Sequence, residues 1–478
     1  MTVTPYSRPR SHTEQELYQF LVTCQRQSSD AQPAIASISW DIPRTDPLIV
    51  LQALAADREP HFVFENRRQQ VAIAAVGSVA MQTIQTRHRF QAAQQFMQHC
   101  RERSHLRHGD TTGSLSFFCS FTFFDPADHP PSAANPFPAA TLFVPRWQVT
   151  NQGDRASFTA NLLVAPTTDL THLTQHTWAT LKSVQTLSSR IVALCHRYDT
   201  LPTGDRFRIL SSPSPNQFTQ SVQSVLDAIA AGELQKVVLA HAFDVAAPQP
   251  FSVVRSLDNL RQRYPDCYVF ATSNGKGQSF IGASPERLLT IQDRAIVVDA
   301  LAGSSPRGQS AMEDQALGDR LLHHPKERHE HQVVVDFIVQ QLKQSGVTPQ
   351  FAAAPTLLRL SNIQHLHTPI HARLPMGLHP LDLLEQLHPT PAVAGLDRDR
   401  ACQKILRHES FERSLYAAPI GWLDHRGNSE FVVGIRSALL DGDRARLYAG
   451  AGIVAGSDPE RELAEIRLKL QALLQALV

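Results

Sequence analysis

A lysine stands in the middle of an apolar, strand-like run, "LQKVVLAHAF", at position 236. Alternation along Leu234, Lys236, Val238 and Ala240 puts it on one face, with Val237 and Leu239 on the other. An ammonium in such a run is costly unless it is paired or neutral. A lysine amine ordinarily titrates at about 10.4, so a neutral one near pH 7 requires its charged form to be disfavoured by roughly 4 kcal/mol. A neutral lysine is a general base; a lysine guarding an exposed sheet edge is the competing explanation. Glu286 follows a Ser-Pro turn in "GASPERLL" and opens the next strand. Held protonated it would be a general acid; on a surface turn it would have no chemistry.

Carboxylates form a second group. In "GSDPERELAEIRLKLQALL", Asp458-Pro459 supplies an N-cap with proline at the first helical position. Leu463, Ile466, Leu470 and Leu474 then recur at helical spacing, while Glu462, Glu465 and Lys469 share one stripe. A solvated face with a Glu465–Lys469 pair accounts for that stripe without function. Glu330 lies in "KERHEHQVVVDFI", near the charged start of another helical segment. Carboxylates of this kind suit a hard cation such as Mg2+, which keeps several waters and seldom has a full protein cage. No His/Cys ligand spacing competes with it. "FVVGIRSALL" reads as a strand carrying Arg436, a cation for a carboxylate or half of a structural salt bridge. "ALAGSSPRG" reads as a small-residue loop whose backbone N–H groups can face an anion, and the glycines of "AGAGIVAG" could do the same although "ARLYAGAGIV" reads as a strand.

These groups need a scaffold. The chain has 478 residues, is 42% hydrophobic and 19% charged, and carries a net charge of +1. That suits a large globular core and gives no electrostatic footprint for nucleic acid or an anionic membrane. Six scattered cysteines without a CxxC pair point to reduced thiols. No apolar run spans a bilayer, and the opening residues lack the apolar core of a secretory signal, so a cytoplasmic protein is expected. Residues 1–15 read as loosely attached. Residues 35–165 hold short β-like runs broken by the proline-rich "DPADHPPSAANPFPAA". Residues 168–199 read as helix and "SSPSPNQ" as a linker. Beyond it come an amphipathic helix that Gly232 can end, strands, a helix around 252–263, one long helix over about 312–344, more strands and the terminal helix. The expected class is α+β, with large antiparallel sheets packed face to face and helices outside. Residues 1–210 form its N-terminal β-rich part and 211–478 the catalytic region.

The ordered stretches "GELQKVVLAHAFDV", "FIGASPERLL", "ALAGSSPRG", "KERHEHQVVVDFI", "LHPTPAVAG", "FERSLYAAPIGW", "FVVGIRSALL" and "LYAGAGIVAGSDPERELAEIRLK" resemble the motifs of the chorismate-utilising enzymes, and among them the isochorismate synthases. The likeness is strong over about 210–475 and loose before that. It implies a Mg2+-dependent isomerase that adds water at C2 of chorismate and loses the C4 hydroxyl. It implies Lys236 as general base and Glu286 as general acid. It implies Glu330 and Glu465 as Mg2+ ligands, with Glu462 beside them. Arg436 would contact the enolpyruvyl carboxylate. Gly303, Ser304, Tyr448, Gly450, Ala451 and Gly452 would line the substrate, and Lys469 would close the last helix over it.

The same resemblance sets limits. The "HPTPAVAG" loop differs from that of the aminating relatives, which implies water as the nucleophile and no glutamine amidotransferase subunit. His241 stands where many relatives have arginine, and no counterpart of the feedback amino-acid site of anthranilate synthases is legible. A salicylate synthase, which would also eliminate pyruvate, is the nearest alternative; relatives that do so commonly carry threonine near the position of Ala392. A non-catalytic relative is the other. Menaquinone or phylloquinone biosynthesis is the expected use, and a monomer the expected state.

Overall fold

The computed structural model describes residues 13–30, 32–56, 58–107, 115–126, 135–187, 207–211, 215–361 and 363–477. The expected loose residues 1–12, part of the proline-rich loop, residues 188–199 of the expected helix and the middle of the expected linker lie outside these.

Two sheets dominate the described residues. The first has 13 strands and the second nine. In the first, strand Lys236–Ala246 pairs antiparallel along its length with Arg444–Val454, then come Ser437–Asp441, Gln278–Ser284 and Tyr268–Ser273. Tyr268–Ser273 pairs in turn with His61–Asn66. In the second, Ile363–Arg373, Ala295–Pro306, Arg287–Gln292, Ser429–Val433 and Pro419–Asp424 lead to Ser116–Phe121. Strands from before and after residue 210 share both sheets as contiguous blocks, which meet where Tyr268–Ser273 pairs with His61–Asn66 in the first and Pro419–Asp424 with Ser116–Phe121 in the second. Ladders are antiparallel, with one parallel pair among the described residues, Ala34–Asp41 with Ser104–Arg107. The sheets face each other across one apolar cluster. Phe62 of the first meets Phe118 of the second with ring centroids 4.8 Å apart. A second cluster lies under helices Glu14–Arg26 and Leu170–Leu187 on the outer face of the first sheet. The class is α+β, as the alternating apolar runs imply.

Two places where the chain passes between the sheets matter most. Gln278–Ser284 lies in the first sheet and Arg287–Gln292 in the second, with Glu286 at the crossing. Ser429–Val433 lies in the second sheet and Ser437–Asp441 in the first, with Gly434, Ile435 and Arg436 at the crossing. The crossings run side by side: Val433 N–H donates to the Glu286 carbonyl (3.1 Å) and Ala283 N–H to the Arg436 carbonyl (3.1 Å). "FVVGIRSALL" is thus two strands, and Arg436 sits between them with φ +49.

Two further elements differ from the sequence expectation. The long helix over 312–344 is two helices, Ala311–His323 and Pro325–Gln344. Pro325 disfavours the α conformation for His324 (φ −69, ψ 118) and then serves as the first residue of the next helix. The strand expected over "ARLYAGAGIV" is present as Arg444–Val454, and Gly450 and Gly452 hold places in its pleated ladder opposite Ala240 and Val238. "ALAGSSPRG" lies mostly in strand Ala295–Pro306, interrupted by a bulge at Gly303 (φ +75), where the register to Ile363–Arg373 shifts. The terminal helix runs Pro459–Leu474, capped by Asp458, whose carboxylate accepts from Arg461 N–H (2.9 Å).

Candidate active site

One cavity of about 380 Å³ gathers nearly all the candidate residues. Its floor is the first sheet, where Lys236 and Val238 lie beside Tyr448, Gly450 and Gly452. One wall is the bulged strand with Gly303 and Ser304, backed by helix Pro325–Gln344, which presents Glu327 and Glu330. The opposite wall is helix Pro459–Leu474, which presents Glu462, Glu465 and Lys469. Glu286 and Arg436 enter from the two crossings, and Ala392 and Val393 from the "HPTPAVAG" segment. Ala451 is the exception. It is 2% exposed and packs in the apolar cluster, outside the cavity lining, because its neighbours Gly450 and Gly452 take the cavity-facing places.

Lys236 is buried in the sheet interior, paired with Val454 on one side and Leu396 on the other, so it guards no edge. Burial lowers its pKa, while the charges of Glu330, Glu286 and Glu327 work against that shift. The glycines beside it provide the room it occupies: a Cβ on Gly452 would lie 3.2 Å from Lys236 Cε, and a Cβ on Gly450 would lie 2.7 Å from Tyr416 Oη. Glu286 is 6% exposed, no surface turn residue. Burial raises its carboxyl to about 7, the Asp299 charge adds to the rise, and Lys236 and the Thr390 hydroxyl oppose it. Asp299 itself is held by Arg287 (2.8 Å) and His367 (2.9 Å). A base and an acid with pKa values moved toward each other is the arrangement for proton transfer near neutral pH.

Four carboxylates crowd the two helical walls. Burial raises the pKa of Glu327, and the charge of Glu330 raises it further. Burial likewise raises Glu462; Glu465 adds to the shift while Ser457 and Lys469 oppose it. Negative charge is therefore in excess between the walls. The expected Glu465–Lys469 pair is present at 2.7 Å, and Lys469 also donates to the Gly450 carbonyl (2.9 Å), tying the helix to the floor. The Ser304 N–H at the bulge is turned to Glu327 Oε2 (3.3 Å). Arg436 has no carboxylate partner among the described residues. Its guanidinium lies 5.6 Å from the Tyr264 ring centre, and Nη1 reaches Cys267 Sγ at 3.7 Å. A cation left unpaired at a cavity wall is a ready contact for an anionic ligand.

Glu327 and His365 are among the lining residues that the sequence reading does not single out. Glu327 precedes Glu330 by three residues on one helix face, a spacing that marks it as a partner. His365 bonds Ser304 Oγ through Nδ1 (2.7 Å), while its buried Nε2 has no side-chain or backbone partner. Burial, with Arg436 adding, pushes its pKa down to about 4, so the ring is neutral. His241 lies outside the cavity, edge-on to Phe218 (5.8 Å). A larger cavity of about 500 Å³, lined by Gln148, Asp424 and Glu430 among others, holds none of the candidates and no neighbouring acid–base pair of this kind. The cysteines among the described residues are free thiols, and no helix of theirs is long and apolar enough to cross a membrane.

Known proteins share this arrangement of sequence and fold. The family model described as chorismate binding enzyme matches residues 19–478. The isochorismate synthase MenF of Escherichia coli (strain K12) is 33% identical over 456 residues, 94% of this chain and 96% of the relative. A salicylate biosynthesis isochorismate synthase of Pseudomonas aeruginosa is 37% identical over 361 residues, 75% of this chain and 74% of the relative. The solved structure of the menaquinone-specific isochorismate synthase from Escherichia coli superposes with a TM-score of 0.74 at 30% identity, covering 97% of this chain and all of that one (100%). Anthranilate synthase component I from Streptococcus pneumoniae shares the fold, with a TM-score of 0.68 at 21% identity over 84% of this chain and 92% of that one. By sequence over nearly all of its length and by fold, the chain belongs to the family of chorismate-binding enzymes.

Proposed function

We propose that this chain converts chorismate to isochorismate, with Lys236 as general base and Glu286 as general acid. The observation that carries the reading is that both side chains are buried in one cavity, with pKa values displaced in the directions the reaction needs. Neutral Lys236 takes a proton from water as the water oxygen bonds to C2. Protonated Glu286 gives a proton to the C4 hydroxyl, which departs as water while the ring double bonds shift. Water is consumed and released in equal amount, so the net change is an isomerisation. Neither water as nucleophile nor hydroxide as leaving group is adequate unaided near pH 7; a positioned acid or base typically contributes about 10²–10⁴-fold.

Chorismate carries two carboxylates. Arg436, unpaired at the wall, suits the enolpyruvyl carboxylate, and neutral His365 offers a further hydrogen bond. Tyr448, Gly450 and Gly452 floor the site. Glu330 and Glu465, with Glu462 and Glu327 beside them, would hold Mg2+. The fit rests on the excess negative charge already described and on the carboxylate oxygens that both helical walls present to the gap. No three acidic, histidine or cysteine side chains converge as a closed metal cage among the described residues. That accords with an ion that keeps waters and takes one or two carboxylates plus substrate. Bound there, Mg2+ supplies positive charge against these carboxylates and that of the substrate ring.

Match over nearly the full length to the Escherichia coli enzyme favours a quinone-directed role, and the sequence of the "HPTPAVAG" segment favours water over ammonia, hence a polypeptide acting without an amidotransferase. Incubation with chorismate and Mg2+, with products separated chromatographically, tests the reading. Isochorismate is the expected product. Salicylate with pyruvate, an aminated ring, or unreacted chorismate would each overturn it.

A further inference from the structure

The strand that carries Lys236 has an incomplete edge. On one side it pairs along its whole length with Arg444–Val454. On the other, Lys236 and Val237 face Leu396 and Gly395, and Asp244 to Ala246 face the strand Arg208–Ser211. Between these short partners the Val238 carbonyl and the Ala240 N–H have no strand to meet. Two side chains complete them. Arg413 Nη2 donates to the Val238 carbonyl (2.8 Å), and Ala240 N–H donates to Glu409 Oε1 (2.8 Å). A guanidinium and a carboxylate thus take the places of the N–H and C=O of an absent strand.

The two are joined to each other through Nε to Oε2 (2.9 Å) and Nη2 to Oε1 (2.6 Å). Arg413 Nη1 donates to the Val393 carbonyl (2.9 Å). The guanidinium lies 4.4 Å from the Phe123 ring centre and 5.7 Å from that of Tyr416. Both charged side chains are buried, at 0% and 3% exposure. Val238, Val393 and Tyr416 all line the active-site cavity, and Val238 is two residues from Lys236 on the same strand face. A buried ion pair is weak evidence for a role in stability, since well-packed apolar residues often serve as well. Apolar residues cannot, however, hydrogen-bond these three backbone groups.

We propose that Glu409 and Arg413 are positioning residues that fix the Lys236 strand against the Val393 segment and so place the base amine over the ring. The proposal rests on the reading of Lys236 as base. Arg413→Lys keeps the charge but loses the planar fork that reaches Val238, Val393 and Glu409 together; Glu409→Gln is the milder partner change. Both are assayed with chorismate and Mg2+ below their own unfolding transitions. Misplacement of a reacting group by about 1 Å costs about 10²-fold, so kcat should fall by roughly 10- to 100-fold with KM nearly unchanged. In a Lys236→Ala background the same substitutions should cause little further loss, because the group they place is gone. Wild-type kcat in either folded single variant would overturn the proposal. So would an undiminished loss in the Lys236→Ala background, which marks general damage to the fold. Near-normal activity of Lys236→Ala alone would instead remove the reading of the base.

Discussion

A Cβ placed on Gly452 would lie 3.2 Å from the Cε of Lys236 and 3.7 Å from its Nζ. The two residues are diagonal neighbours on paired strands, since Gly452 stands opposite Val238 and Val454 opposite Lys236. The absence of one side chain thus fixes where the amine lies. Gly452→Ala should displace the amine while leaving the ladder intact, because the position needs no left-handed backbone. We expect kcat to fall at least about tenfold, with thermal stability close to that of the wild type. Normal kcat would show that the lysine tolerates the shift and that its placement is not critical.

Glu286 predicts a pH dependence whose sign is fixed. As the proposed general acid it would have to carry a proton to act, and burial raises its pKa to about 7, so activity should decline as pH rises through that value. Lys236 must be neutral, so activity should also decline as pH falls below its lowered pKa. Glu286→Gln should lose activity, as an amide delivers no proton, yet still bind chorismate. Stability follows the same carboxyl. A pKa raised from 4.5 to about 7 means that the stabilising protonated form is lost as pH rises across that interval. Relative to wild type, Glu286→Gln should therefore gain up to about 3 kcal/mol between pH 5 and pH 8. A flat difference in unfolding free energy between those pH values would contradict the assignment.

How much of this was legible before the structure is instructive. Lys236 is legible because an ammonium is the wrong type for an apolar strand, whereas Glu286 is legible only through the family motif, since the Ser-Pro turn before it reads equally well as surface. The terminal helix was readable in full from its cap and its leucine period. Arg436 was legible as a cation but not as a crossing residue, because "FVVGIRSALL" reads as one continuous strand and the change of sheet depends on which partners its halves find. Gly450 and Gly452 fall in the run "ARLYAGAGIV", legible as a strand, but only the structure shows that they hold the cavity-facing places in it. His365 is out of reach of the sequence, since its strand also holds His367 and His371 on the same face, and only the pairing of the strand with Ala295–Pro306 shows that His365 lies beside Ser304.

The carboxylate walls predict a metal dependence. Glu330→Gln and Glu465→Gln should raise the Mg2+ concentration needed for half-maximal activity by roughly tenfold or more and remove most turnover. A second readout is independent of turnover. Mg2+ should raise the unfolding temperature of the wild-type protein, as a ligand of the folded state does, and should do so less in either variant. Unchanged Mg2+ titrations in both variants would sink the assignment.

Ala392 lines the cavity beside Val393, where an added hydroxyl would touch bound substrate. Ala392→Thr should therefore add pyruvate release to isochorismate formation, read by coupling pyruvate to its reduction. A variant that forms isochorismate alone at the wild-type rate would show that this position does not set the outcome.

The central claim is that water adds at C2 while the C4 hydroxyl departs. Turnover of chorismate in water enriched in ¹⁸O, with Mg2+ present and the product analysed by mass spectrometry, tests it most directly. The account predicts isochorismate carrying one heavy oxygen, located at C2, with no pyruvate released. Isochorismate without the label would mean that the original hydroxyl migrates, and would contradict the assignment of Lys236 as a base that activates water.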